Sequence, residues 1–154
     1  MNKKYDKAVA VILRGSNGIY LSKRLNTETL SGFYAVAGGR CDEGEVFWQT
    51  AIRETKEETG LDININRFIL VWYGEAPTAT EEYIFLVDLF DTEIPITTEP
   101  DKHTDWIEYD PEYAIENMKL IPALIDIFKN ITPRDVEATT KLIDFMAKSD
   151  NIKK

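Results

Sequence analysis

Gly39-Arg40-Cys41-Asp42-Glu43-Gly44-Glu45, followed after seven residues by Arg53-Glu54-Thr55-Lys56-Glu57-Glu58-Thr59-Gly60-Leu61, is the stretch from which this chain is read. From Glu45 to about Thr59 the pattern is helical. Trp48, Ile52, Thr55 and Thr59 recur at spacings of three and four and define one stripe, and Gly60 stands where a C-cap glycine is expected. Glu54, Glu57 and Glu58 then occupy i, i+3 and i+4, so their carboxylates share another face, roughly opposite. The spacing predicts a helix that packs one side into a core and presents three acids to a cleft.

Three glutamates on a helix ordinarily make only a solvated face. Here Glu54 and Glu58, as like charges at i and i+4, repel unless something offsets them, and a divalent cation would. Mg²⁺ takes octahedral oxygen coordination through one or two carboxylates, waters and a substrate's own phosphates, and this cluster offers the carboxylates. Gly38-Gly39 reads as a turn whose small residues let backbone carbonyls approach a metal or a phosphate. Arg53, four residues before Glu57, is placed to pair with a carboxylate and fix the cluster.

Composition bounds the possibilities. With 154 residues, 44% hydrophobic and 29% charged, the chain has the make-up of one soluble globular domain. A formal net charge of -9 disfavours any partner bound through a long phosphate backbone, so no nucleic acid polymer is expected. A small anionic phosphate compound remains compatible if a metal ion supplies the positive charge. The single cysteine, Cys41, excludes an internal disulfide, and the single histidine, His103, excludes a multi-His site, so a metal here must be held by oxygen. Cys41 is read as incidental and His103 as a loop side chain. No long apolar run follows Lys3 and Lys4 and no stretch approaches the roughly 18 apolar residues of a membrane span, so a cytoplasmic location without membrane association is the expectation.

Working outward, Lys7 to Leu13, Ile19 to Leu21 and Gly32 to Val36 read as strands before the box. Arg67 to Tyr73 and Tyr83 to Phe90 read as a hairpin around Gly74-Glu75-Ala76-Pro77-Thr78, with a mobile tip. A short strand is expected near Asp105 to Tyr109, beyond an acidic loop from Asp91 to Asp101. Asp110-Pro111 starts a helical turn, Leu120 to Phe128 reads as a helix, and Thr132-Pro133 opens a last one with Val136, Leu142, Ile143 and Met146 as core contacts. The whole is an α+β arrangement around a mixed sheet, with a domain at 1–131 and a helical extension at 132–154 packed on it.

The quoted stretch resembles the signature of the Nudix hydrolase family, G-x5-E-x7-R-E-U-x-E-E-x-G-U, where U is bulky and aliphatic. Gly39, Glu45, Arg53, Glu54, Glu57, Glu58, Gly60 and Leu61 match; Thr55 keeps β-branching at the first U. Gly32 to Gly39 is similar to the G-x-W-x-x-P-G-G lead-in, with Ala37 in place of proline. Glu99-Pro100-Asp101-Lys102-His103-Thr104-Asp105 is similar to the E-P-x-K-x-x-E segment of MutT-like members.

The resemblance implies a Nudix α/β/α sandwich and Mg²⁺-dependent substitution by water at a phosphorus of a diphosphate linkage, with Mn²⁺ as a possible substitute. It implies metal ligation by Glu57 and Glu58 with Glu54 and the Gly39 carbonyl, and a further acid at Asp105, or failing that Glu99. Glu54 is the expected general base, and Glu45 and Arg53 support it. Lys23, Arg24, Phe33 and Tyr34 are substrate-contact candidates, with Trp72, Tyr83 and Trp106 as further aromatic options.

The MutT-like segment favours a nucleoside or deoxynucleoside triphosphate, cut to monophosphate and pyrophosphate. A nucleoside diphosphate sugar such as ADP-ribose is the rival, since Pro77 lies sixteen residues beyond Leu61. From other classes, a non-catalytic nucleotide-binding regulator is opposed by the complete acidic set, and an RNA-end activity by the net charge. The last helix leaves a homodimer open.

Overall fold

Residues 5–27 and 30–131 are described by a computed structural model. In chain order the elements are β1 (Tyr5–Arg14), β2 (Ile19–Lys23), β3 (Tyr34–Ala35), β4 (Ala37–Arg40), α1 (Phe47–Thr59), β5 (Ile69–Ala76), β6 (Ala79–Asp88), β7 (Ile107–Tyr109), α2 (Pro111–Asn117) and α3 (Pro122–Asn130), with a 3₁₀ turn at Ile65–Arg67. No helix among the described residues is long and apolar enough to cross a membrane.

The sheet is mixed. β1 runs parallel to β6 from Tyr5↔Ala79 to Arg14↔Asp88, and β6 pairs antiparallel with β5. On its other side β1 meets β4 and, at its far end, β2, which carries β3 and β7. Alternation along the central strands sorts the core into two layers. Val9, Val11, Leu13, Phe85 and Val87 face α1, while Ala10, Ile12, Ile84 and Leu86 face α2 and α3 around Leu124 and Phe128. A strand apolar on both faces must be covered on both, which is the α/β/α sandwich. Asp110 caps α2 by accepting from the Tyr113 N–H at 3.1 Å, with Pro111 in the first turn.

Several boundaries differ from the sequence reading. Helix α1 starts at Phe47, and its buried residues are Thr50, Ala51, Thr55 and Thr59, with the half-buried Phe47 packed against the same core. Trp48 is 41% exposed and Ile52 only half-buried. Phe47 takes the inner position by stacking on Tyr83, ring centroids 4.1 Å apart. Thr55 and Thr59 tolerate burial because each hydroxyl donates to the carbonyl four residues back, at 2.7 Å and 2.5 Å.

Gly38 and Gly39 lie in a strand, not a turn. They pair with Ala10 and Val9. The expected strand at Gly32 to Val36 is reduced to Tyr34–Ala35, and the hairpin turn is only Pro77-Thr78, since pairing continues to Ala76↔Ala79. The helix expected from Leu120 starts at Pro122, and the one expected from Thr132 lies outside the described residues.

At Gly38 any Cβ would collide with the Val9 backbone carbonyl. Gly38→Ala should therefore lower stability by about 2 kcal/mol or more. Urea unfolding would read this as a lower midpoint at an unchanged slope; an unaltered midpoint would mean that β1 and β4 separate freely.

Candidate functional site

The box places its residues through three supports. Gly60 ends α1 in the left-handed conformation, φ 76°, and its N–H returns to Lys56. The loop after β6 then docks on that end. The Ile96 N–H donates to the Thr59 carbonyl at 2.9 Å, the Thr98 hydroxyl to the Glu57 carbonyl at 2.5 Å, and the Trp106 indole to the Glu58 carbonyl at 3.1 Å. At the other end Glu45 accepts from the Asp42 N–H at 3.1 Å and the Thr50 hydroxyl at 2.6 Å.

Arg53 is the hub. Its guanidinium grips Glu45 through two bonds of 2.8 and 2.9 Å, reaches Glu54 at 2.9 Å and Glu57 at 3.2 Å, and donates to the Arg40 carbonyl at 3.2 Å. This bidentate contact holds the Glu45 carboxyl down at about 2. The same partners raise the affinity of Arg53 for its proton, so its charge is permanent.

The three helix acids divide. Glu54 and Glu58 are largely withdrawn from solvent and lie close enough for each carboxyl to perturb the other. Burial pushes Glu58 up to about 9, with Glu54 and, more weakly, Glu99 adding negative charge, while the Gly38 N–H at 3.4 Å opposes the shift. Glu54 is raised too, first by burial, with Arg53 pulling the other way. Glu57 stays outside, its side chain 54% exposed.

Gly39 closes the pocket floor beside this pair. A Cβ there would stand 2.5 Å from the Glu54 carboxyl carbon. Two neighbouring acids against a bare strand form a place where a divalent cation would offset their mutual repulsion. Among the described residues no three acids, histidines or cysteines form a ready cage. The donor set fits an ion such as Mg²⁺, which keeps positions for water and phosphate oxygens.

The remaining candidates scatter. Phe33, Tyr34 and Arg24 line a cleft of about 170 Å³ that also reaches Gly38, Gly39 and Glu58. Lys23 is exposed at the end of β2 and does not line it, contrary to expectation. Of the two loop acids, Glu99 is the one whose charge is felt at Glu58; Asp105 is exposed and accepts from the Thr97 hydroxyl at 2.8 Å. Trp72 packs against the α2/α3 core and Tyr83 under Phe47, so neither is a platform in this cleft. Trp106 is buried with His103, ring centroids 5.1 Å apart, so His103 is not a loose loop side chain.

Sequence reasoning missed three residues: Lys119, whose ammonium sits 4.6 Å over the Phe33 ring, and Thr78 and Glu82, which border the cleft. Glu82 was detectable, because it is in phase with the inward residues Ile84 and Leu86.

The Glu45 contact carries a pH dependence. A carboxyl depressed to about 2 when folded and near 4.3 when unfolded stabilises fully above the unfolded value, and loses that contribution as pH falls toward 2. Screened at this partly open edge, the contribution is on the order of 1 kcal/mol. Denaturation should show Glu45→Gln less stable than the parent at pH 7, with the gap narrowing at pH 3. A gap independent of pH would contradict it.

Residues 4–129 match the NUDIX domain family. The chain is similar to an NAD-capped RNA hydrolase NudC of Vibrio atlanticus, 32% identical over 83 residues, which cover 54% of this chain and 29% of that protein. It is also similar to an 8-oxo-dGTP diphosphatase of Proteus vulgaris, 31% identical over 61 residues, covering 40% of this chain and 54% of the relative. The aligned parts are thus about half or less of those proteins' lengths. Among solved structures, a MutT NUDIX hydrolase from Burkholderia pseudomallei superposes with a TM-score of 0.67 at 20% identity, over 84% of this chain and 100% of the other, which shows a shared fold. With the match running through the acidic helix, its glycine strand and both layers of the sandwich, the chain belongs to the NUDIX domain family.

Proposed function

We propose that the protein is a hydrolase that cuts a diphosphate linkage of a nucleoside or deoxynucleoside triphosphate with a divalent metal, giving the monophosphate and pyrophosphate. The carrying observation is that Glu58, the inward neighbour of Glu54 on α1, lines the same cleft as Phe33, Tyr34 and Arg24. A small nucleotide is the partner this cleft suits, and a cytoplasmic location is part of the reading. Support comes from the relatives' names, which refer to a nucleotide cap and to a deoxynucleoside triphosphate.

In this reading Glu54, Glu58 and the Gly39 carbonyl would hold Mg²⁺ or Mn²⁺, with Glu57 as a further carboxylate on the same helix and Glu99 as the loop acid in place of Asp105. When bound, the ion neutralises the diphosphate and lowers the pKa of an attacking water. Glu54 takes the water's proton, held in place by the Arg53 N–H at 2.9 Å. Arg53 is itself anchored on Glu45, so both act by positioning. Arg24 steers the phosphates, and Phe33 and Tyr34 give the base an apolar wall.

A second reading, an ADP-ribose or related sugar pyrophosphatase, has one supporting observation: Pro77 borders the cleft. Incubation with Mg²⁺ and a panel of triphosphates and ADP-sugars, products resolved in ¹⁸O-labelled water, separates the two. Pyrophosphate released from triphosphates is expected; turnover of ADP-sugars alone would replace the first reading by the second.

Glu58→Gln should lower kcat about a hundredfold or more. It should leave the metal-free melting temperature at pH 7 unchanged or higher, because burial favours the neutral form of the carboxyl it replaces. Glu57→Gln should cost less, since Glu57 stands outside the buried pair. Unchanged turnover in both variants would overturn this mechanism, whereas a parent that binds nucleotides and turns over none would be a non-catalytic binder.

A further inference from the structure

Glu82 is 8% exposed, and no group among the described residues hydrogen-bonds or ion-pairs with it. Buried polar side chains are nearly always partnered, so such an exception calls for a cause. It lies on β6 opposite Ala8 of β1, in phase with Ile84 and Leu86. Its oxygens are not sealed in protein as the Arg67 Nε and His103 Nε2 atoms are, and the residue borders the cleft shared by Phe33, Tyr34 and Glu58. The cleft's lining is apolar at Ala8, Ala10, Val36, Ile121 and Leu124 and polar at Arg24, Glu58 and Thr78. A carboxyl that borders a cleft and has no partner among the described residues can hydrogen-bond to what enters it.

We propose that Glu82 is a specificity-determining residue that accepts hydrogen bonds from the N–H edge of the substrate's base, and that this edge is of the guanine type. A carboxylate offers two adjacent acceptors and no donor. Guanine presents two adjacent donors, the ring N1–H and the 2-amino group. Adenine and cytosine each set an amino group beside a ring nitrogen that accepts, and uracil and thymine flank one N–H with two carbonyls. Each of these turns a lone pair toward Glu82. Burial pushes the Glu82 carboxyl upward, and bonding to two donors draws it back to the charged form. The inference rests on the nucleotide-hydrolase reading and goes beyond it in naming the base and the residue that selects it.

Glu82→Gln supplies the test, because a carboxamide has one acceptor and one donor and so suits adenine instead. The parent should show a higher kcat/KM for GTP than for ATP, CTP and UTP, carried mainly by KM. The variant should lose about ten- to a hundredfold on GTP and shift its preference toward ATP, with its melting temperature equal to the parent's or above it. Equal losses on all four nucleotides with a lower melting temperature would mean a structural role only and would overturn the proposal, as would a parent that prefers ATP. Calorimetry with GMP and AMP separates this from the activity itself. If no triphosphate is turned over but GMP binding still depends on Glu82, the hydrolase reading falls and this one stands. If turnover is confirmed and GMP binds parent and variant alike, the reverse holds.

Discussion

The Gly38-Gly39 strand is wedged between two neighbours that leave no space for a side chain. On one side the Val9 backbone occupies the position of a Gly38 Cβ, and on the other the Glu54 carboxyl occupies that of a Gly39 Cβ. This double contact ties the fold to the site. Within β4 only glycine fits against the Val9 backbone at position 38, and the bare position 39 leaves room for the Glu54 carboxyl of α1 beside the strand. The sheet register and the placement of the glutamates are thus a single constraint, satisfied at one pair of residues.

Electrostatics runs against the packing at this point. Two neighbouring carboxyls with little access to water are unfavourable as anions, so both are pushed toward their neutral forms, and the fixed charge of Arg53 opposes that shift at Glu54. Arg53 in turn stays put because Glu45, locked at the start of α1 by Thr50 and Asp42, takes both faces of its guanidinium fork. The loop from Asp91 to Trp106 adds three bonds to carbonyls at the end of α1, which seats Glu99 where its charge is felt. The strained electrostatic state is therefore held from both ends of one helix.

The box was legible because its chemistry fixes residue types as well as spacing, and the α/β/α layering because β1 and β6 are apolar in both phases. The helix stripe was half-legible. Thr55 and Thr59 were placed correctly, but Trp48 was not, since periodicity gives a repeat and not the identity of the first inward residue. That was settled by Phe47 finding Tyr83, a contact distant in sequence. Gly38-Gly39 was misread as a turn because glycine pairs usually mark one, whereas here they mark close approach. Lys23 and Arg24 are adjacent, and only strand alternation separates the one on the surface from the one at the cleft. Glu82 was overlooked because an acid in a strand reads as solvent-facing unless its phase is followed.

The Pro77-Thr78 turn closes a two-residue hairpin whose pairing continues to its last residues, and it forms part of the cleft's rim. A rim stitched into the sheet moves only with the sheet, so the slot's height is a matter of chain length rather than of loop motion. Added residues at this turn would raise the wall while every strand kept its register. A chain with the same layers and a longer hairpin here would take longer or bulkier ligands while the acids on the helix stayed untouched.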